Sequence, residues 1–186
     1  MTEARYLSGS ILLAMPGMGD ARFDRAVIAM CMHDANGALG VGFGDILPGV
    51  TLHGLLADLG IDRQDLPDAP IHAGGPVEQQ RGFVLHSPDW TAQGTLPVSC
   101  EWSMSASLEA LRAIAERRGP SRWLIALGYA GWGAGQLDGE MRQHGWYAAT
   151  GKAGILFDTP VEARWRATWQ NEGIDPAQLV AATGRA

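Results

Sequence analysis

Glycine is spread along the whole chain: 25 of 186 residues, joined by 10 prolines and showing no period. Unperiodic glycine serves turns and close backbone packing, which sets the chain apart from collagen, solenoids and flexible linkers. The apolar runs between these breaks have strand length. Those at 10–14, 26–32, 38–43, 82–86, 96–102, 123–129, 146–149 and 154–157 lie between Gly, Pro or Asp signals and read as strands of a sheet.

Helices announce themselves at their ends. Thr51 precedes Leu52, Leu55, Leu56 and Leu59, and Gly60 stops the run. Ser105 is placed to cap a helix whose Leu108, Leu111 and Ala115 form one apolar stripe. Arg117-Arg118-Gly119-Pro120 then ends it, with cations at the negative terminus and glycine available for a left-handed cap. Leu137, Met141 and His144 mark another helix, ended by Gly145. Thr159-Pro160-Val161-Glu162 has the form of a capping box, followed by a core face of Val161, Trp165 and Trp169. Asp175-Pro176 opens a short last helix.

No interdomain break is visible, and a chain of this length can bury about 70% of its unfolded surface in one core, so residues 1–186 read as a single domain. Hydrophobic residues make up 46% and charged residues 18%, the balance of a globular fold rather than a disordered tail. The net charge of -6 disfavours direct nucleic-acid binding and attachment to acidic membranes, because phosphate binding draws on many Lys and Arg contacts. The polar start Met1-Thr-Glu-Ala-Arg-Tyr6, the short apolar stretch ending at Pro16-Gly17, and only two cysteines, Cys31 and Cys100, point to the cytoplasm.

The common signatures of catalysis and cofactor binding are missing. There is no GxGxxG after a strand, no HExxH, no CxxC and no GxSxG, and Gly151-Lys152-Ala153 lacks both the first glycine and the hydroxyl of a phosphate loop. The expectation is therefore no cofactor and no metal. Cys31 and His33 stand at i and i+2 of a strand, which would bring thiol and imidazole to one face as nucleophile and base. The alternative is a buried thiol beside a hydrogen-bonded histidine, and burial is the common fate of free cysteine. Asp20, Asp24, Asp34 and Asp45 read as turn caps, and Arg112, Arg117, Arg118 and Arg122 as a solvated helix face. The last two helices have the outline of a helix-turn-helix, yet three arginines (Arg164, Arg166, Arg185) balance three acids (Glu162, Glu172, Asp175). Only Gln178 is available to read a base, so core packing is preferred.

Two glycine-rich segments are the candidate site. Gly74-Gly75-Pro76 brings bare backbone close to whatever faces it. In the segment from Gly128 to Leu137, Gly131 and Gly133 flank Trp132, which can stack on a flat group, while Gln136 can fix its orientation. Backbone N–H groups between strand and helix can also face an anion. The structural alternative is that the glycines serve sharp turns and close crossings while Trp132 fills the core beneath. His33 and His86 complete the candidate ligand contacts.

Leu7-x-Gly9, Ala14-x-Pro16, Phe23, His33, Gly37-Ala-Leu-Gly40, Gly74-Gly-Pro-Val77, Leu85-His86 and Gly128-Tyr-Ala-Gly-Trp-Gly-x-Gly-Gln-Leu137 together resemble the AlgH/YqgE family of bacterial proteins. Asp138-Gly-Glu140, Trp146 and Gly173-Ile-Asp175 continue the pattern. The resemblance implies an α+β fold in which a mixed, largely antiparallel sheet bends into a pseudo-barrel with helices packed outside. It also implies the family's description as transcriptional regulators, which comes without an established reaction or DNA site. One stretch departs: where the family usually has an apolar pair and then Asn-Arg-Pro after Gly40, this chain reads Val41-Gly-Phe-Gly44-Asp45-Ile46. The favoured expectation is a non-catalytic regulatory or binding protein that engages a small molecule or protein partner. The alternative is a hydrolase or transferase using Cys31, His33 or His86.

Overall fold

The structure, a computed structural model, describes residues 6–18 and 20–183. The first five residues of the polar start and Arg185 of the terminal charge balance lie outside the described residues. In chain order the elements are β1 (Ile11–Ala14), β2 (Val27–Asp34), β3 (Gly37–Gly42), β4 (Ile46–Thr51), α1 (Leu52–Asp58), β5 (Pro70–Ala73), β6 (Val77–His86), β7 (Leu96–Pro97), β8 (Ser103–Ser105), α2 (Leu108–Ala115), β9 (Trp123–Gly133), α3 (Gln136–Arg142), β10 (Trp146–Ala149), α4 (Ala153–Phe157), α5 (Arg164–Asn171) and α6 (Pro176–Thr183).

The strands form one α+β domain whose sheet curls into a half-barrel in the order β10-β1-β2-β3-β9-β6-β8-β7, with β5 against β9 and β4 against β5. Among the described pairings only β5 with β9 is parallel. The long strand β9 is the hinge of this arrangement. Its first half, Ile125 to Leu127, lies between β5 and β6, whereas its second half, Ala130 to Gly133, pairs with β3.

Alternate residues of the same strands feed different cores. Ile11, Leu13, Val27, Ala29, Phe83, Leu85, Leu124 and Ala126 meet Trp102, Leu156 of α4 and Trp169 of α5 on one face. On the other face Leu12, Ile28, Met30, Ala130 and Trp132 pack under Leu137 of α3, while Val84 and Ile125 pack under α1 and α2. Because both faces are covered, the strands read as unbroken apolar runs rather than alternating ones. Each large side chain buried this way contributes about 1.5–3 kcal/mol.

Several expected boundaries shift for local reasons. The run 96–102 is not one strand. After the two residues of β7 the chain turns so that Val98 N–H and Ser99 N–H both donate to the Trp102 carbonyl, and Trp102 is swallowed by the core. The run 154–157 is helical, as part of α4, because its first turn is capped from a distance: Ala153 N–H donates to Glu101 Oε2 at 2.7 Å. Ser107, not Ser105, caps α2, its Oγ accepting from Ala110 N–H at 3.4 Å, and Leu108 is exposed. The left-handed residue after α2 is Arg117, at φ 58°, rather than Gly119. The Thr159-to-Glu162 capping box does not form. Thr159 Oγ1 instead donates to the Gly154 carbonyl, and a 3-10 turn, Val161–Ala163, leads into α5. Strands β4 and β5 were hidden by Pro48, Gly49 and Pro70. Thr51, by contrast, caps α1 as expected, accepting from Gly54 N–H at 3.3 Å.

Candidate functional site

The two glycine segments do meet, and they meet each other. The chain leaves β5 on one edge of β9 and returns as β6 on the other, so the Gly74-Gly75-Pro76 link must cross β9. A Cβ on Gly75 would stand 2.2 Å from the Tyr129 carbonyl carbon, and one on Gly128 2.4 Å from the Gly75 carbonyl oxygen. Only backbone fits there. Gly74 also joins the ladders, its N–H donating to Leu127 O at 2.8 Å and its carbonyl accepting from Gly42 N–H at 2.7 Å. The expected array of free N–H groups beyond Gly128 is absent, because β9 continues through Gly131 and Gly133, which pair with Leu39 and Gly37.

Beyond the crossing a cleft opens. Pro76, Val77, Gly131, Trp132 and Gln136 share a cavity of about 410 Å³ with Phe23, Trp146 and Glu140, while Asp20 and Arg22 stand at its rim as a 2.7 Å ion pair. Trp132 is almost wholly buried and meets Trp146 edge to face. Its ring is wall rather than a free stacking platform. Glu140 organises the site, although its role could not be read from the sequence. Its Oε2 accepts from Trp132 Nε1 at 2.9 Å and from Trp146 Nε1 at 2.8 Å, and its Oε1 accepts from Gln136 Nε2 at 2.9 Å. The Gln136 Oε1 accepts from Gly133 N–H at 3.0 Å. One signal was legible: Gln136 and Glu140 are four residues apart, hence on one face of α3.

Gly74 and Gly75 line a neighbouring cavity of about 580 Å³ with Gly42, Gly44 and Asp45; Arg22, Phe23, Pro76 and Ala130 line both spaces. The stretch that departs from the family pattern thus borders this second cavity and contributes a carboxylate to it.

The reactive-looking side chains do not converge on the cleft. A bulge between Met30 and Met32 shifts the β2–β3 register, so Cys31 faces the Trp102 core while His33 pairs with Ala38 on the α3 side. The expectation that i and i+2 share a face fails at this bulge. Cys31 Sγ donates to Ala29 O at 3.5 Å, and burial pushes the thiol up to about 12. His33 Nδ1 accepts from Leu7 N–H at 3.1 Å, and its Nε2 lies 3.9 Å from Asp138. It sits on the Trp132 face of the sheet but two strands away, since Ala38 pairs with Trp132. His86 pairs with Trp123, nine residues of strand from Trp132, a separation on the order of 30 Å. It is fully buried; Nδ1 donates to Ser87 O at 2.9 Å and Nε2 faces Ser105 Oγ at 3.0 Å, a serine that is equally enclosed. Among the described residues no group of three or more His, Cys, Asp or Glu is placed to hold a metal ion.

Residues 11–177 match the AlgH-like family, the domain of unknown function 179. The chain belongs to the AlgH-like family. A UPF0301 protein of Novosphingobium aromaticivorans is 64% identical over the full length of both chains, and one of Rhizorhabdus wittichii is 58% identical over the same span. The solution structure of the AlgH protein from Pseudomonas aeruginosa superposes with a TM-score of 0.77 at 38% identity, covering all of both chains. A crystal structure of a Corynebacterium diphtheriae protein shares the fold, with a TM-score of 0.73 over 96% of this chain and 94% of that one, at 18% identity. The blocks that carry the AlgH-like resemblance are the ones that build the crossing and the cleft: Gly74 to Val77, Gly128 to Leu137, Glu140 and Trp146.

A second buried polar centre of this AlgH-like chain lies elsewhere. Arg164 of α5 reaches into the sheet, donating through Nη1 to Phe43 O at 2.6 Å and to His72 Nε2 at 2.8 Å, and through Nε to Thr159 O at 3.0 Å. Burial lowers the guanidinium to about 10. Burial and the neighbouring Arg164 charge hold His72 down at about 4, so it stays neutral and its Nδ1 donates to Ile125 O. This centre fastens α5 to β5 and to Phe43, the residue that follows β3. The terminal pair of helices is accordingly anchored from within: Arg164, Thr168 and Trp169 are buried, and Leu179 of α6 packs against the same core.

Proposed function

We propose that this AlgH-like protein is a non-catalytic, cytoplasmic binding protein with a regulatory role, whose cleft between the Pro76-Val77 rim, the end of β9 and α3 receives a small molecule or a segment of a protein partner. The observation that carries this reading is the Glu140 cluster. Its polar groups are fixed by one another before anything binds, so little ordering remains for a ligand to impose. The described residues of the cleft supply aromatic rings, glycine and apolar side chains, carboxamides, two carboxylates and the ion-paired Arg22, and among them there is no imidazole, thiol or hydroxyl. That favours recognition over nucleophilic chemistry. Direct DNA binding is no part of the proposal, because the stretch 159–186 carries no net charge and α5 spends Arg164, one of its two arginines, on the interior. Among the described residues no helix is long and apolar enough to cross a membrane.

Affinity capture from an extract of the native host, with mass spectrometry for small molecules and proteins, identifies what binds. Gln136→Ala and Val77→Arg alter the cleft at exposed positions and are expected to release the captured species while the fold persists. Wild-type binding of that species by both variants would remove the cleft from consideration.

A further inference from the structure

Glu140 keeps an uncompensated negative charge in the cleft. Its three hydrogen bonds come from two indoles and a carboxamide, all neutral, and among the described residues no Lys, Arg or His lies within ion-pair distance of it. Neutral donors orient a carboxylate without cancelling its charge. The rim contributes nothing net, since Arg22 holds Asp20 through Nε at 3.1 Å and Nη2 at 2.7 Å.

The walls around this carboxylate are aromatic. Trp132 and Trp146 cross at 82° with ring centroids 6.0 Å apart, and Phe23 meets Trp146 at 72° and 5.4 Å. Aromatic faces carry negative potential and attract cations. The molecule itself shows this at the cleft, where the Arg22 guanidinium lies 5.6 Å from the Phe23 ring centre. Among the described residues an anion would find no unpaired cation there. Nor would a primary ammonium be well served. It brings three N–H donors, whereas a carboxylate has about four acceptor sites, and three of those on Glu140 are taken.

We infer that the cleft takes a small organic cation of the alkylated ammonium class, attracted by Glu140 and packed against Phe23, Trp132 and Trp146. This rests on the cleft being the binding site and adds the chemistry of what enters it. Such a group needs a charge and an apolar wall rather than a set of acceptors, which is what these residues supply.

The test is a titration of the full ¹⁵N-labelled chain, read at the indole N–H signals of Trp132 and Trp146, which Trp→Phe variants assign. Choline is compared with its neutral carbon isostere, 3,3-dimethylbutan-1-ol, and with inorganic phosphate. Choline is expected to shift both signals saturably, the alcohol at least tenfold more weakly, and phosphate not at all. Glu140→Gln keeps the acceptor oxygen for the indoles and is expected to weaken choline at least tenfold. Equal affinity for choline and the alcohol overturns the cation assignment while leaving the cleft as a binding site. Shifts with phosphate alone overturn it in sign, and indifference to all three overturns it outright; in either case the capture experiment still decides on the cleft. The wild-type comparison of choline with its isostere holds even if Glu140→Gln does not fold.

Discussion

Gly74 and Gly128 touch backbone to backbone: a Cβ on Gly74 would stand 2.1 Å from the carbonyl oxygen of Gly128. The contact arises because the link from β5 to β6 crosses β9 within the thickness of a peptide plane. Gly128 also holds φ at 78°, and its own Cβ would lie 2.4 Å from the Gly75 carbonyl. Gly128→Ala therefore combines a left-handed backbone with a backbone clash, and a loss of about 3 kcal/mol or more is expected. Gly17 shares the φ of 78° but has nothing within 4 Å of a built Cβ. Gly17→Ala is expected to cost only about 1 kcal/mol. Urea denaturation of the two variants measures the difference, and equal losses would mean that the crossing does not require glycine.

His72 makes stability depend on pH in a defined window. Its folded value, about 4, lies below the ordinary 6.5. As pH falls through 6.5 the unfolded chain takes up a proton that the folded chain refuses until about pH 4. Stability is then fully present above 6.5 and falls between 6.5 and 4, by about 3 kcal/mol in all, since protonation linkage is worth about 1.4 kcal/mol for each pH unit separating the folded and unfolded values. His86, also depressed chiefly by burial, acts in the same direction. His72→Gln can still accept from Arg164 and does not titrate, so its stability profile is expected to be flatter over that window. A profile parallel to wild type would show that His72 is not the titrating group.

Glu140 is as much a structural keystone as a cleft wall. Glu140→Ala removes the acceptor from two indole N–H groups and one carboxamide. A stability loss of about 2–3 kcal/mol is expected, chiefly from leaving the indole N–H groups of the buried Trp132 and Trp146 unpaired. Glu140→Gln, which keeps an acceptor oxygen, is expected to lose less than half as much. Chemical denaturation of the pair settles the order; similar losses would mean that shape rather than hydrogen bonding holds the site.

What the sequence made legible was local. Thr51 and Asp175 act within three residues of themselves, and both accept the N–H groups of the helices they precede. The apolar runs of β1, β2 and β9 were readable because each is buried on two faces. What escaped depends on partners brought from far away. Glu101 caps α4 across 52 positions, and Arg164 reaches His72 across 92. The bulge at Cys31 is a matter of register with β3, which no pattern within β2 reveals. The glycine blocks were visible as the site's most unusual composition. That they cross one another, and that the indoles of Trp132 and Trp146 point at a single carboxylate on α3, required the strand order.

The same bulge bears on thiol chemistry. Cys31 lies in the Trp102 core with its pKa raised to about 12 by burial, while Cys100 is exposed. Only the thiolate attacks an alkylating reagent, so a buried thiol held this high is protected twice, by access and by charge. Native protein treated with iodoacetamide at pH 8 is expected to carry one adduct, at Cys100, by intact mass and peptide mapping. Denaturant should add the second, at Cys31. Rapid native labelling of Cys31 would show that the thiol reaches solvent and ionises, and would return the Cys31 nucleophile to contention against a purely binding role.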